Sequence, residues 1–203
     1  MPNYRVSTFF LVLIFLLSCN SVYTPKRRGY FKIDFPAHQY QAFDQPGFPY
    51  SFEYPVYAHV IKDSSYFDTI PENPYWINID FPAFGARIYV SYKAVGQNKF
   101  DKLRDDAYKM TFKHTYKASS IDDSTFVTPN GVGGVFFKVG GNAATARQFF
   151  VTDTTHHFLR GALYFDTAPN EDSLGIVNQF LEKDMDHLIN TFRWKNPVPQ
   201  ARK

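Results

Sequence analysis

WINIDFPAFGARIYVSYKA, residues 76–94, carries two runs of period two about a short turn. Ile77, Ile79 and Phe81 fall on one side of the first run, with Trp76, Asn78 and Asp80 on the other. After the turn from Pro82 to Gly85, Ile88, Val90, Tyr92 and Ala94 oppose Arg87, Tyr89, Ser91 and Lys93. Successive side chains of a strand point to opposite faces, so each run predicts a strand with one apolar face. The short turn makes the pair an antiparallel hairpin. Downstream the period lengthens. Phe100, Leu103, Ala107, Met110 and His114 recur at three and four, with Lys102, Asp105, Asp106, Lys109 and Lys113 on the other side. Asn98 stands as an N-cap and Asp101 in the first turn, so the spacing predicts an amphipathic helix over 98–117 with a solvated charged face.

Three further strands, 134–139, 146–152 and 158–165, read as a meander turning at Gly140-Gly141-Asn142 and again at Asp153 to His156. A last helix over 172–194 buries Leu174, Val177, Leu181, Met185, Leu188 and Phe192. Arg193 and Lys195 are expected at its C-terminal end, where the dipole favours cations. Upstream, Phe52, Tyr54, Val56, Ala58 and Val60 alternate with polar neighbours as one strand, which Pro55 assigns to an edge or a bulge. The order β-ββ-α-βββ-α predicts an α+β fold, a mostly antiparallel sheet with two main helices packed on it. It is similar to the PsbP/Mog1-like arrangement, including a last helix that ends in Phe-Arg. The expected domain is single and spans 50–195. Residues 19–49, rich in Pro and Gly, are expected as tether and lead-in, with a short extended piece at 30–35 able to pair with the domain. The tail 196–203, with two prolines, is expected to be disordered.

Residues 1–18 read differently. Arg5 is the one charge among them, and residues 9–17 are an unbroken apolar run. Nine helical residues rise about 13.5 Å, against about 30 Å of hydrocarbon, so the run suits a signal peptide and not a permanent span. Leu16-Leu17-Ser18-Cys19 resembles a lipobox, the recognition site of lipoprotein signal peptidase, although Leu17 stands where Ala or Ser is usual. An ordinary signal peptide, or an N-terminal membrane helix with an incidental Cys, is the alternative. Cys19 is the only cysteine. Lipidation at Cys19 would leave an exported chain with neither free thiol nor disulfide, and two or three acyl chains hold a protein on a membrane without measurable release.

Net charge is +3, too small to imply nucleic acid as a partner, and Lys26-Arg27-Arg28 is the one dense basic cluster. It serves either as a solvated tether or as a contact with anionic lipid. Aromatic residues make up 19% of the chain, with 22 Phe and 14 Tyr, which suits both strands and a binding surface. No nucleophile elbow, phosphate loop or helical metal motif occurs. The six histidines include no pair at i and i+4, and Gly131-Val132-Gly133-Gly134 precedes a strand where a phosphate cradle would open a helix. No metal and no cofactor is expected. Arg160 lies within the apolar run 158–165, opposite Leu159 and Leu163, where a charge needs either solvent or a partner.

The strings YTPKRRGYFKIDFP (23–36), PYSFEYPVYA (49–58), YWINIDFP (75–82), QFFVTDTTHHFLRGALYF (148–165) and TFRWK (191–195) resemble the GldD family of gliding-motility lipoproteins of Bacteroidetes. The resemblance covers nearly all the chain after Cys19. It implies an envelope component of gliding motility and type IX secretion, with other envelope proteins of that machinery as partners and no catalytic residues to transfer. The rival readings are a binding module for an apolar ligand, lipid or glycan, and a hydrolase whose carboxylates the fold assembles. Asn20-Ser21-Val22 lacks an acidic stretch, which favours the periplasmic side, and the outer membrane over the inner. Trp76, Arg160 and Tyr164 are the candidate interface residues, because each lies on a strand face opposite an apolar row.

Overall fold

The computed structural model describes residues 29, 32–62 and 72–195. The signal peptide, Cys19, most of the tether and the tail 196–203 lie outside the described residues. The chain divides into units Met1–Ile33 and Asp34–Lys203, and every element below belongs to the second.

The hairpin of residues 76–94 supplies two adjacent strands of the main sheet. Strand β4 (Ile77–Phe81) runs into a 3-10 turn at Pro82–Phe84 and returns as β5 (Ala86–Ala94), with Gly85 at φ 53° closing the turn. Around this pair stand β3 (His59–Lys62), β6 (Ala118–Val127), β7 (Gly133–Gly141), β8 (Arg147–Thr152) and β9 (His157–Phe165). They form a seven-stranded sheet, β3-β4-β5-β9-β8-β7-β6, whose neighbours are all antiparallel. A second sheet joins β1 (Tyr40–Phe43), β2 (Tyr50–Pro55) and β10 (Arg193–Trp194). The helices are α1 (Phe100–Phe112) and α2 (Glu171–Thr191). The fold class is α+β, two helices on antiparallel sheet.

The period-two rows sort into two cores. Ile77, Ile79, Ile88, Val90, Phe149, Leu159 and Leu163 pack with Val177, Leu181, Met185 and Leu188 of α2 and with Phe43, Tyr50 and Phe52 of the small sheet. The opposite face, with Val135, Phe137, Phe150 and Phe158, is covered by Leu103 and Ala107 of α1. The large sheet is therefore buried over much of both faces.

Several expectations shift. The strand read over 52–60 is two strands in different sheets. Pro55 ends β2, a turn closed by Ala58 N–H to Pro55 O (3.0 Å) follows, and β3 begins at His59. The lead-in is part of the packed unit from Asp34: β1 pairs with β2, and the Phe35 ring stacks on Phe180 with centroids 4.4 Å apart. The predicted helix 98–117 is shorter, because Asn98 does not cap it; its amide donates to Glu72 and to Ala94 O instead. Its buried row is Leu103, Ala107 and Thr111, and Met110 turns outward. Helix α2 is capped by Asn170, which accepts from Ser173 N–H, and stops at Thr191. The next residues extend as β10, so Arg193 and Lys195 do not sit on the helix dipole. Lys195 instead pairs with Asp44 and donates to Gln45 O (3.0 Å). The edge strand β6 has no counterpart in the sequence reading.

Candidate functional site

Trp76, Arg160 and Tyr164 do share one sheet face, the one α1 covers, but not one exposed surface. Arg160 faces Ser91 across β9 and β5, and Tyr164 lies four residues further on, about 13 Å along the strand. Trp76 is buried, and its indole N–H donates to Tyr92 O at 2.7 Å. Arg160 is only 8% exposed. The expectation of solvent-side residues fails for these two because α1 packs across their end of the face. Tyr164 is half-buried, edge-on to Tyr89 with centroids 5.6 Å apart. Its register partner Arg87 holds Asp80 through two hydrogen bonds of 2.5 and 2.9 Å.

Between α1 and the sheet lies a cavity of about 210 Å³, lined by Trp76, Ser91, Lys93, Leu103, Asp106, Ala107, Met110, Phe158 and Arg160. Arg160 Nη2 donates to the side-chain oxygen of Gln148. That oxygen also accepts from Thr111 Oγ1 at 3.1 Å, while Gln148 Nε2 is buried without a partner among the described residues. Nearby, burial lowers the basicity of His114, and the positive charge of Arg160 lowers it further. Lys93, at the cavity, is held by Glu72 at 3.0 Å. Met110, which lines the cavity, is also 46% exposed, and Phe112 (47%) and Tyr116 (81%) are exposed at the end of α1 and in the turn after it.

A second polar cluster lies on the α2 side. Asp184 is almost fully buried and receives His38 Nδ1 at 2.7 Å, Tyr40 OH at 3.1 Å and Tyr57 OH. Burial and then the Asp184 charge push the Tyr40 phenol up to about 12; burial and the hydrogen bond to Asp184 raise Tyr57 too. Both phenols therefore stay protonated and donate. Tyr40 stacks on His187 at 3.5 Å, and His187 Nε2 meets Glu53 at 2.7 Å. The cluster fastens residues 38–57 onto α2. Asp184 was legible in principle, since it lies three residues after Leu181 and four before Leu188, inside the buried row. Gln148 left a weaker signal, a neutral amide opening the apolar run Phe149-Phe150-Val151. Among the described residues no group of three or more His, Cys, Asp or Glu is placed to hold a metal ion. Nor, among them, is any helix long and apolar enough to cross a membrane.

Fold and site define a small α+β domain with buried polar clusters on both sides of its main sheet, and with Met110, Phe112 and Tyr116 among its exposed apolar side chains. It is similar to the solution structure of cyanobacterial PsbP (CyanoP) from Synechocystis sp. PCC 6803. The two share 11% identity at a TM-score of 0.48, over 82% of this chain and 98% of that one. No protein of curated function matches the chain. The chain belongs to the gliding motility lipoprotein GldD family, whose sequence profile matches residues 20–194. It is accordingly a lipoprotein of the cell envelope and a component of gliding motility.

Proposed function

We propose that the protein is a lipid-anchored part of the gliding-motility and type IX secretion machinery, held by Cys19 on the periplasmic side of the outer membrane. It works by contact with other envelope proteins and not by catalysis. The observation that carries this reading is the exposure of Met110, Phe112 and Tyr116 on α1 and the turn after it, Met110 also lining the cavity of Trp76 and Arg160, with Tyr164 on the sheet face that α1 partly covers. Met, aromatic and Arg side chains are those enriched where proteins bind one another. An aromatic as exposed as Tyr116 contributes little to folding, so its value lies in what it meets.

The test is a set of single changes, Tyr116→Ala, Phe112→Ala and Tyr164→Ala, made in the gliding organism. Each variant should be lipidated and melt as the parent does, yet reduce gliding or secretion and lose crosslinks to envelope proteins. If all three glide, secrete and crosslink normally, the contact surface is not on this face. If function is lost while every crosslink persists, contact is not what these residues provide.

A further inference from the structure

We propose that the cavity beneath α1 is a binding site for a small monocarboxylate with an apolar tail. The head sits on Arg160, and the tail lies against Trp76, Leu103, Met110 and Phe158. This goes beyond the contact reading and does not depend on it.

The first ground is an uncompensated charge. A guanidinium removed from water needs a partner of opposite sign, or its burial is costly. Arg160 is more than nine-tenths buried, lines the cavity, and among the described residues has the neutral oxygen of Gln148 as its one hydrogen-bond partner. Asp106 lines the same cavity from α1 but makes no ion pair with it.

The second ground is independent. Gln148 is fully buried, its oxygen is occupied by Arg160 and Thr111, and its Nε2 has no acceptor among the described residues. A buried donor without an acceptor is uncommon in a folded protein and calls for a missing group. Arg160 and this unpartnered amide stand on neighbouring strands, β9 and β8, where their register partners lie two residues apart: Arg160 opposes Phe150, and Gln148 opposes Ala162. Of the two, Arg160 lines the cavity, and a carboxylate on its guanidinium makes charge-assisted bonds, the stronger kind.

Shape and charge narrow the class. The rest of the lining is largely apolar, and about 210 Å³ is room for about seven waters, so the tail is short. Lys93 is already neutralised by Glu72, and Asp106 adds a negative charge, so the cavity suits one negative charge better than two. That favours carboxylate over phosphate.

The experiment uses the full lipidated chain in phosphatidylcholine nanodiscs. Sodium hexanoate, 1-hexanol and inorganic phosphate are titrated while the indole N–H signals of Trp76 and Trp194 are followed. Trp194 does not line the cavity and serves as the internal reference. Hexanoate should move the Trp76 signal saturably, and bind at least about tenfold more tightly than hexanol or phosphate. Arg160→Gln should remove the preference for the acid over the alcohol. Ser91→Leu, which fills the cavity and keeps the charge, should abolish both. The proposal is overturned if hexanoate gives no saturable shift, if acid and alcohol bind alike, if phosphate matches hexanoate, or if Ser91→Leu leaves binding unchanged. Should Arg160→Gln not fold, the acid–alcohol comparison and Ser91→Leu decide it alone.

Discussion

Gly161 lies at the centre of β9, opposite Phe149 of β8 and Val90 of β5, and beside the Arg160 it helps to place. Phe149 is fully buried with its ring over the Gly161 backbone. A Cβ on Gly161 would stand 2.5 Å from Cζ of that ring, 3.1 Å from Cδ1 and closer still to Cε1. Carbons in contact settle at about 3.5–4.0 Å, so the ring would have to move by about 1 Å in a close-packed core. Alanine in a strand otherwise gains about 0.5–1 kcal/mol over glycine. Overpacking a filled core costs about 1–3 kcal/mol. Gly161→Ala should therefore destabilise the domain by about 1–2 kcal/mol net. Phe149→Leu removes the two nearest ring atoms at its own cost of about 1–2 kcal/mol. In that background Gly161→Ala should be neutral or slightly stabilising, a coupling of about 1–3 kcal/mol. Urea unfolding of the parent, both single variants and the double variant, followed by circular dichroism, measures the cycle. Equal destabilisation in both backgrounds would show that the Phe149 ring is not what excludes a side chain at Gly161.

Three further outcomes are expected. Leu188→Ala should lower unfolding free energy by about 2–5 kcal/mol while Lys183→Ala, on the exposed side of α2, changes it by less than about 0.5 kcal/mol; similar small effects would mean the buried face is misassigned. Burial pushes the His157 imidazole below its ordinary value, against the pull of Asp153. Between that lowered value and about 6.5 the unfolded chain binds more protons, so stability is full above about pH 6.5 and declines as pH falls, by at most about 1.4 kcal/mol per pH unit for one group. His157→Gln should flatten the decline in urea titrations from about pH 7 to about pH 5, though His114 adds a slope of the same sign; an unchanged slope would exclude His157 as a source. Cys19→Ala should accumulate as uncleaved precursor without a fatty-acid label, and a wild-type chain that takes up no label would end the lipid-anchor reading.

The hairpin of residues 76–94 and the buried row of α2 were legible because each sets an apolar row against a more polar one. Alternation or a three-four period then records the burial directly. Leu181, Leu188 and Phe192 are all buried. Edge strand β6 was not legible: Ser119-Ser120 and Asp122-Asp123-Ser124-Thr125 are polar on both faces, since an edge strand gains its backbone partners from β7 while its side chains remain largely in solvent. Strand β1 was hidden among prolines and glycines, and Pro55 split one apparent strand into two that serve different sheets.

The cavity followed a different logic. Alternation correctly placed Trp76, Arg160 and Tyr164 on the face opposite the apolar row, but period two says only that a side chain faces away from one core. It does not say whether a second layer covers that other face. Helix α1 covers part of it, through the short row Leu103, Ala107 and Thr111, and so turns Arg160 and Trp76 from expected surface into cavity lining. Local sequence, through side-chain period and turn chemistry, determined the strands, the helices and the α+β class. Which polar groups lost their water was decided by tertiary packing, because desolvation depends on what lies above a residue in space, and those neighbours are remote in the chain. Arg160 receives its roof from residues some fifty positions earlier, and Asp184 its partners from His38, Tyr40 and Tyr57.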